Sequence, residues 1–402
     1  SNWAAMSLVT SGGNSYNGSS GFKIGADAAD LIWEKANQVN VGINAELFNG
    51  RLALSVDGYY QKTSGLLYNI STLATTGYTT RTANIGSLEN KGLEVMVSGK
   101  IFDGPFKWEL ATNLSYTKNK LLSLDGVLDM KINGGGANTG KVMHALMVGK
   151  PVSAFYMLRQ DGIYQTDQEV PSKLYAKGVR AGDCKYFDYN NDGDITDDDR
   201  MYVGKVTPDI YGGITSTMNW KNFDLSIFCQ FAAGGKILSA WKGCGGTEGT
   251  EHLGLASSSI KGYKNGTLVN SEQFYNISKY AANHYWRGEG TSNTVPRPTL
   301  AGTFTGGFGN NLVSTRYLED ASYFKFKTIT LGYSLPHSLL SKIHVTGARI
   351  FVSLDNFFTL TKYSGYDPEF SYESNPTGNS YGADFGEQAT LKSFIIGASI
   401  NF

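Results

Sequence analysis

Charge is scarce in this chain and evenly split. Asp, Glu, Lys and Arg together make 17% of the 402 residues, with 35 basic against 35 acidic. Average soluble proteins carry about a quarter. No basic field exists to hold nucleic-acid phosphates, and P-loop and zinc-ribbon spacings are missing, so nucleic acid is excluded as a partner. Long apolar runs are also missing: none approaches the ~18 to 20 residues of a membrane-spanning helix. Residues Ser1 to Val9 lack the basic start and apolar core of a signal peptide. An exported chain of this kind has either lost its leader or begins inside a longer sequence. Cys184, Cys229 and Cys244 are too few for a disulfide scaffold; Cys184 and Cys244 either pair or stay as thiols.

What is abundant is glycine (49 residues) and aromatics (13%), arranged with period two. From Val39 to Leu47 the odd positions are Val39, Val41, Ile43, Ala45 and Leu47, and the even ones Asn40, Gly42, Asn44 and Glu46. Asn49-Gly50, a strong hairpin signal, follows. Next come Leu52, Leu54, Val56, Gly58 and Tyr60, alternating with Ser55, Asp57 and Tyr59. The pattern recurs on either side of Asp103-Gly104-Pro105, on either side of Lys221-Asn222, and in late strands near 322–335, 348–356 and 391–402. Nine strands are expected, and the long loops have room for two more. Several run about ten residues, the length that crosses a bilayer at a tilt. Phe48, Phe102, Phe106, Trp108, Trp220 and Phe223 gather at the tight turns, as an interfacial girdle requires. A soluble β-sandwich also alternates, but strand length and girdle favour a transmembrane antiparallel β-barrel, an all-β fold.

Short turns alternate with long loops (Thr63 to Ser87, Lys118 to Lys150, Ala233 to Ala321). In bacterial barrels short turns face the periplasm and long loops the outside. The strand after Gln38 then runs inward, and so does the last, leaving the C-terminus at Phe402 periplasmic. Such a series is odd in number, so at least one strand is expected upstream of Gln38, with Ser1 to Val9 part of it. Asn44, Glu46, Asp57, Glu94, Lys100 and Glu109 face a wet lumen in this reading.

Five stretches resemble the SusC/RagA family of TonB-dependent outer-membrane transporters: Leu31 to Lys35 leading to Gly42, Ile85 to Glu94, Asp188 to Arg200, Thr328 to Pro336, and Asp355 to Tyr363 running into Gly365-Tyr366-Asp367-Pro368-Glu369. The resemblance implies a 22-stranded barrel in the outer-membrane lipid. It also implies energy supplied through TonB, a SusD-like lipoprotein lid, and oligosaccharide or peptide cargo. Residues 1–402 are then the C-terminal part of that barrel, with no plug, TonB box or N-terminal accessory domain among them. The alternation of Phe394, Ile396, Ala398 and Ile400 up to Phe402 suits the end of such a barrel.

Asp188, Asn190, Asp192, Gly193, Asp194, Ile195 and Asp199 match positions 1, 3, 5, 6, 7, 8 and 12 of an EF-hand loop. Oxygens at alternate residues wrap a hard cation, so Ca2+ is expected here, bound weakly because Asp199 is shorter than the usual Glu. The alternative is an acidic turn that binds nothing. Trp241, Tyr285, Trp286 and Tyr164 lie in long loops and are candidates for stacking on substrate or lid; packing within their own loops is the plainer alternative. His144, His252, His284, His337 and His344 are scattered, and Asp197 to Asp199 beside Asp192 sit in no visible cleft, so no enzyme is expected. The rival functions are a passive porin and a secreted glycan-binding or glycan-cleaving β-protein.

Overall fold

A computed structural model of the chain describes residues 9–16, 19–24, 31–71, 80–124, 130–132, 143–244, 255–264, 267–274, 278–299, 304–306, 308–340, 345–369, 381–386 and 390–401. Nine strands form one antiparallel sheet: β1 (Lys35–Leu47), β2 (Leu52–Ser64), β3 (Ser87–Asp103), β4 (Phe106–Ser123), β5 (Ile210–Trp220), β6 (Phe223–Ala233), β7 (Tyr323–Ser334), β8 (Gly347–Thr361) and β9 (Ser393–Asn401). Their order in the sheet is their order in the chain, each strand beside its sequence neighbours. These are the nine strands that the alternation marks. The further strands in the loops pair in small ribbons of their own and do not join the sheet. Upstream, Val9–Tyr16 pairs with Ser19–Ile24 in one such ribbon, while Ser1 to Leu8 and Phe402 lie outside the described residues.

Register makes the alternation of single strands into two faces, because directly opposed residues point the same way. One row reads Leu47, Leu52, Gly99, Leu110, Ser216, Ile227, Ile329, Leu354, Phe394 across all nine strands. A row on the other side reads Lys100, Glu109, Thr217, Ser226, Thr330, Ser353. Asp57 stands opposite Glu94 on that polar side, a pairing of like charges that only a wet surface tolerates. The expected lumen residues thus share one face.

Two bulges keep the faces intact where simple alternation would fail. Ile101 is bypassed, so Phe102 rather than Ile101 stands with Trp108 on the oily face. The register shift at Lys327 moves the apolar set of β7 from Phe324 and Phe326 to Ile329, Leu331 and Tyr333. Gly332 has a packing reason: a Cβ there would lie 2.4 Å from both Arg349 Nη2 and Asp224 Oδ1. Those side chains bridge across β7 at 2.9 and 2.5 Å on the polar face.

The oily face is uncovered. Val41 is 68% exposed, Ile43 68%, Ile396 67% and Phe394 59%. Nine strands about 4.8 Å apart make this face roughly 40 Å wide, well beyond the apolar patches that soluble monomers leave in water. A sandwich would bury these residues against a second sheet, and among the described residues none does. At the short-turn end, where the girdle is expected, Phe102 packs 6.0 Å from Phe106 and 5.9 Å from Trp108, and Phe223 lies 4.7 Å from Tyr333.

Placing a charge at mid-strand separates the two faces. Val95→Arg on the oily face is expected to destabilise the bilayer-inserted protein by about 2–4 kcal/mol. Met96→Arg, one residue away on the polar face, should cost under about 1 kcal/mol. Reversible denaturant unfolding from liposomes measures both, and equal costs would contradict the assignment.

Candidate functional site in the long loops

Among the described residues, the two larger clusters of buried side chains lie in the loops and not in the sheet. Residues 124–209, 234–322 and 362–392 all leave the same end of the sheet. Phe155, Met157, Leu238, Val313, Tyr317 and Ala383, drawn from all three, pack into one cluster. Lys236–Ser239 pairs antiparallel with Leu318–Asp320 and parallel with Ala383–Asp384, which ties the segments together by backbone. A second cluster holds Leu158, Ile163, Tyr164, Leu174, Val179 and Phe308. Beside it the fully buried Asp183 carboxylate accepts from Arg297 at 2.8 and 2.9 Å, from Asn310 Nδ2 at 3.0 Å and from the Arg180 N–H at 2.8 Å. A buried charge needs such partners. Cys184 and Cys244 lie in different clusters; they form no disulfide, and burial pushes their thiols up to about 11 and about 12.

The four candidate aromatics do not act together. Tyr164 is 3% exposed, a core residue whose phenol burial pushes up to about 12. Trp286 packs against the same core and donates from Nε1 to Gln165 Oε1 at 3.2 Å. Tyr285 is half-buried, with the Arg287 guanidinium 4.5 Å from its ring. Trp241 lines a cavity of about 620 Å3 where three loops converge. Its neighbours there are Tyr280, Gln160, Asn293, Lys242 and Arg316. An indole and a phenol beside amides and cations suit a polar ligand with flat faces, and the volume suits a small molecule or one end of a longer chain. Sequence reasoning missed Tyr280, Gln160 and Asn293, because nothing in their local pattern shows that three distant loops meet.

The acidic loop enters the left-handed region at Asn191 (φ 58°) and Gly193 (φ 79°). Several of its oxygens already accept hydrogen bonds from the chain. Asp188 accepts from the Asp192 and Gly193 N–H groups at 3.1 and 2.7 Å, and the fully buried Asp199 from those of Tyr189 and Thr196 at 2.9 and 2.7 Å. Lys177 Nζ sits 2.6 Å from Asp194, and its hydrogen bond holds that carboxyl below its ordinary pKa. Lys173 donates to the Asp192 carbonyl. The donors are hard oxygens, as calcium requires, yet among the described residues no three acidic, His or Cys side chains converge as a metal cage. His252 and His344 lie outside those residues.

The stretch Gly365 to Glu369 clips the last long loop onto the sheet. Lys325, 2% exposed on β7, meets Asp367 at 3.0 Å and also Glu369. Glu369 takes further bonds from Lys327 (2.9 Å), Tyr323 (2.8 Å) and Gln230 (3.1 Å). Burial pushes both carboxyls up, but hydrogen bonds outweigh it. Thr390, the Glu369 N–H and Lys325 hold Asp367 below the usual carboxylate range, and Lys325, Lys327 and Tyr323 do the same for Glu369.

A sheet oily on one side, wet on the other and capped at one end by folded loops is the wall of an outer-membrane β-barrel. Residues 4–227 match the family described as TonB dependent receptor-like, beta-barrel, and the chain belongs to it. It is similar to TonB-dependent receptor P3 of Formosa agariphila, 30% identical over 380 residues that cover 93% of this chain and 34% of that protein. It is also similar to TonB-dependent receptor SusC of Bacteroides thetaiotaomicron, 26% identical over 385 residues, 93% of this chain and 32% of that protein. The solved RagAB peptide transporter shares the fold, with a TM-score of 0.72 at 23% identity over all of this chain and 39% of that one. The chain spans about a third of the length of the curated relatives it matches. This is a family of transporters and receptors, not of enzymes.

The Asp367–Glu369 clip makes loop anchoring depend on pH. Both folded carboxyls titrate below their unfolded values of about 4. Their contribution is therefore complete above that pH and is lost as the pH falls through the folded values. Amide exchange of residues 363–369 is expected to be slow at pH 7 and to become fast, after correction for intrinsic rates, as the pH falls through the folded carboxyl values. Lys325→Met removes one partner of a buried pair, at a cost of about 3–5 kcal/mol, and should show the fast behaviour already at pH 7. Unchanged protection in both cases would contradict the clip.

Proposed function

We propose that this chain is the membrane wall of a TonB-dependent importer that takes up oligosaccharides or peptides beneath a SusD-like surface lipoprotein. The carrying observation is the division of labour within one sheet: an uncovered oily face, a polar face, and at one end a loop body with the Trp241 cavity. Short turns lie at one end of the sheet and long loops at the other. This supports an orientation with the loops outside the cell and the C-terminus in the periplasm. Transport coupling through TonB and gating are assigned to other parts of a longer protein, consistent with the relatives' length. The cavity pairs ring faces with amide and hydroxyl groups, chemistry that serves a sugar chain or a peptide backbone equally.

Uptake by cells carrying the full-length gene tests this. Deletion should abolish TonB-dependent growth on the cargo, and Trp241→Ala should raise the half-saturating cargo concentration roughly tenfold, equivalent to about 1.4 kcal/mol, while the maximal rate changes little. Uptake that persists without TonB would point to a passive pore and contradict the proposal.

We also propose that the loop from Asp188 to Asp199 binds calcium, with Asp188, Asn190, Asp192, Asp194 and Asp199 as donors. Support comes from the alternate spacing of hard oxygens and the two left-handed residues that curl the chain. A cation would replace Lys177 beside Asp194. Calcium at about 100 times its dissociation constant is expected to stabilise the protein by about 2.7 kcal/mol, read as a rise in melting temperature that Asp188→Asn abolishes. A melting temperature indifferent to calcium and to chelator would contradict it.

A further inference from the structure

Lysines crowd one corner of the oily face. Toward the long-loop end of β1–β4, the row Val41, Gly58, Leu93, Tyr116 is followed by Val39, Tyr60, Lys91, Lys118, then by Asn37, Lys62, Glu89, Lys120, and Lys35 lies beyond, with Glu89 as the one acid. All five lysines are exposed. The register makes the crowding direct. Lys91 stands opposite Lys118, and both Lys62 and Lys120 stand opposite Glu89, whose carboxylate is taken by Lys91 at 2.9 Å. Like charges facing each other across a strand pair repel, so one glutamate leaves the corner short of anions.

The other end of this face on β1–β4 carries Leu47, Leu52, Phe102, Phe106 and Trp108, with no charge at all. The asymmetry therefore belongs to one membrane surface and is not a general feature of strand ends. Immediately toward the membrane from Lys91 and Lys118 the face has a hollow. Gly58 lies between Val41 and Leu93 and leaves their row without a side chain. The resulting groove, about 610 Å3, is lined by Val39, Val41, Leu93, Tyr60 and Tyr116 and rimmed by the two lysines. An apolar slot that opens onto paired ammonium groups beside Tyr60 and Tyr116 has the polarity of a lipid: acyl chain below, anionic headgroup above.

We propose that this corner holds a phosphate-bearing acylated glycolipid of the outer leaflet. Its phosphate lies between Lys91 and Lys118, and an acyl chain fills the groove over Gly58. This rests on the orientation given above, which puts the long-loop end of the sheet in the outer leaflet. The bound lipid relieves the repulsion between β3 and β4, next to the start of the long 124–209 loop.

The test uses the full-length protein, reconstituted in phosphatidylcholine bilayers with or without lipid A as the probe. Lipid A should remain bound through detergent extraction in native mass spectrometry and raise the melting temperature, whereas inorganic phosphate should do neither. The double variant Lys91→Gln/Lys118→Gln should weaken lipid A binding at least tenfold. Gly58→Leu should weaken it similarly. A Cβ at Gly58 meets no atom closer than 3.9 Å, so the substitution fills the groove without strain. Lys100→Gln on the polar face should bind like wild type. Heat-modifiable gel mobility confirms that each variant is folded. A folded double variant that keeps lipid A, or equal protection by phosphate alone, overturns the proposal. A thiol label at Asp161→Cys reports orientation in intact cells. Labelling from outside together with absent lipid A binding overturns this inference and leaves the importer orientation standing, whereas a failure to label overturns both.

Discussion

Successive side chains of a β-strand point to opposite sides, and neighbouring strands must agree on which side is which. Everything in this chain follows from keeping that agreement over nine strands. A slip of one residue anywhere would put Glu94 or Lys100 against lipid and Val95 into water. The bulges at Ile101 and Lys327 are the places where the sequence could not keep strict alternation and the register absorbed the difference. Gly332 serves the same end differently, since its missing side chain makes room for Arg349 to reach Asp224 over the top of β7.

The usual relation between sheet and core is reversed. Strand residues such as Val41, Ile43 and Ile396 stay 68%, 68% and 67% exposed, whereas the long loops, though rich in polar residues, bury Phe155, Met157, Leu238 and Tyr317 almost completely. Lipid covers the first set; the second must cover itself, because it stands in water. The loop body therefore folds like a small soluble domain, with its own ribbons, buried ion pair and thiols. Its attachment to the wall runs partly through charge. Lys325 is buried on the polar face, where it holds the segment from Gly365 to Glu369 that would otherwise swing with the last loop.

The wall was legible in the sequence and the loop body was not. Val39 to Leu47 declares its two faces locally, and tight turns at Asn49-Gly50 and Lys221-Asn222 set which strands meet. Nothing local says that Trp241, Asn293 and Gln160 share a cavity, or that Asp183 awaits Arg297 more than a hundred positions away. Tyr164 shows the limit plainly. In sequence it is an aromatic in a polar loop, suited to a ligand, and in the fold it is core. Gly193 takes a left-handed conformation in the acidic loop, but the lysines that approach Asp192 and Asp194 come from the short helix Ser172–Ala176 and the residue that caps it, which the motif does not include.

The account stands on which residues meet lipid, and that can be measured position by position. With the full-length protein in bilayers, single nitroxide labels placed along β3 from Leu93 to Lys100 report collision with oxygen, which partitions into lipid, and with a water-soluble nickel chelate. The account predicts a strict period of two: odd positions favour oxygen and even positions the chelate. Labels that show no alternation, or that favour the chelate at Leu93, Val95 and Val97, would contradict it.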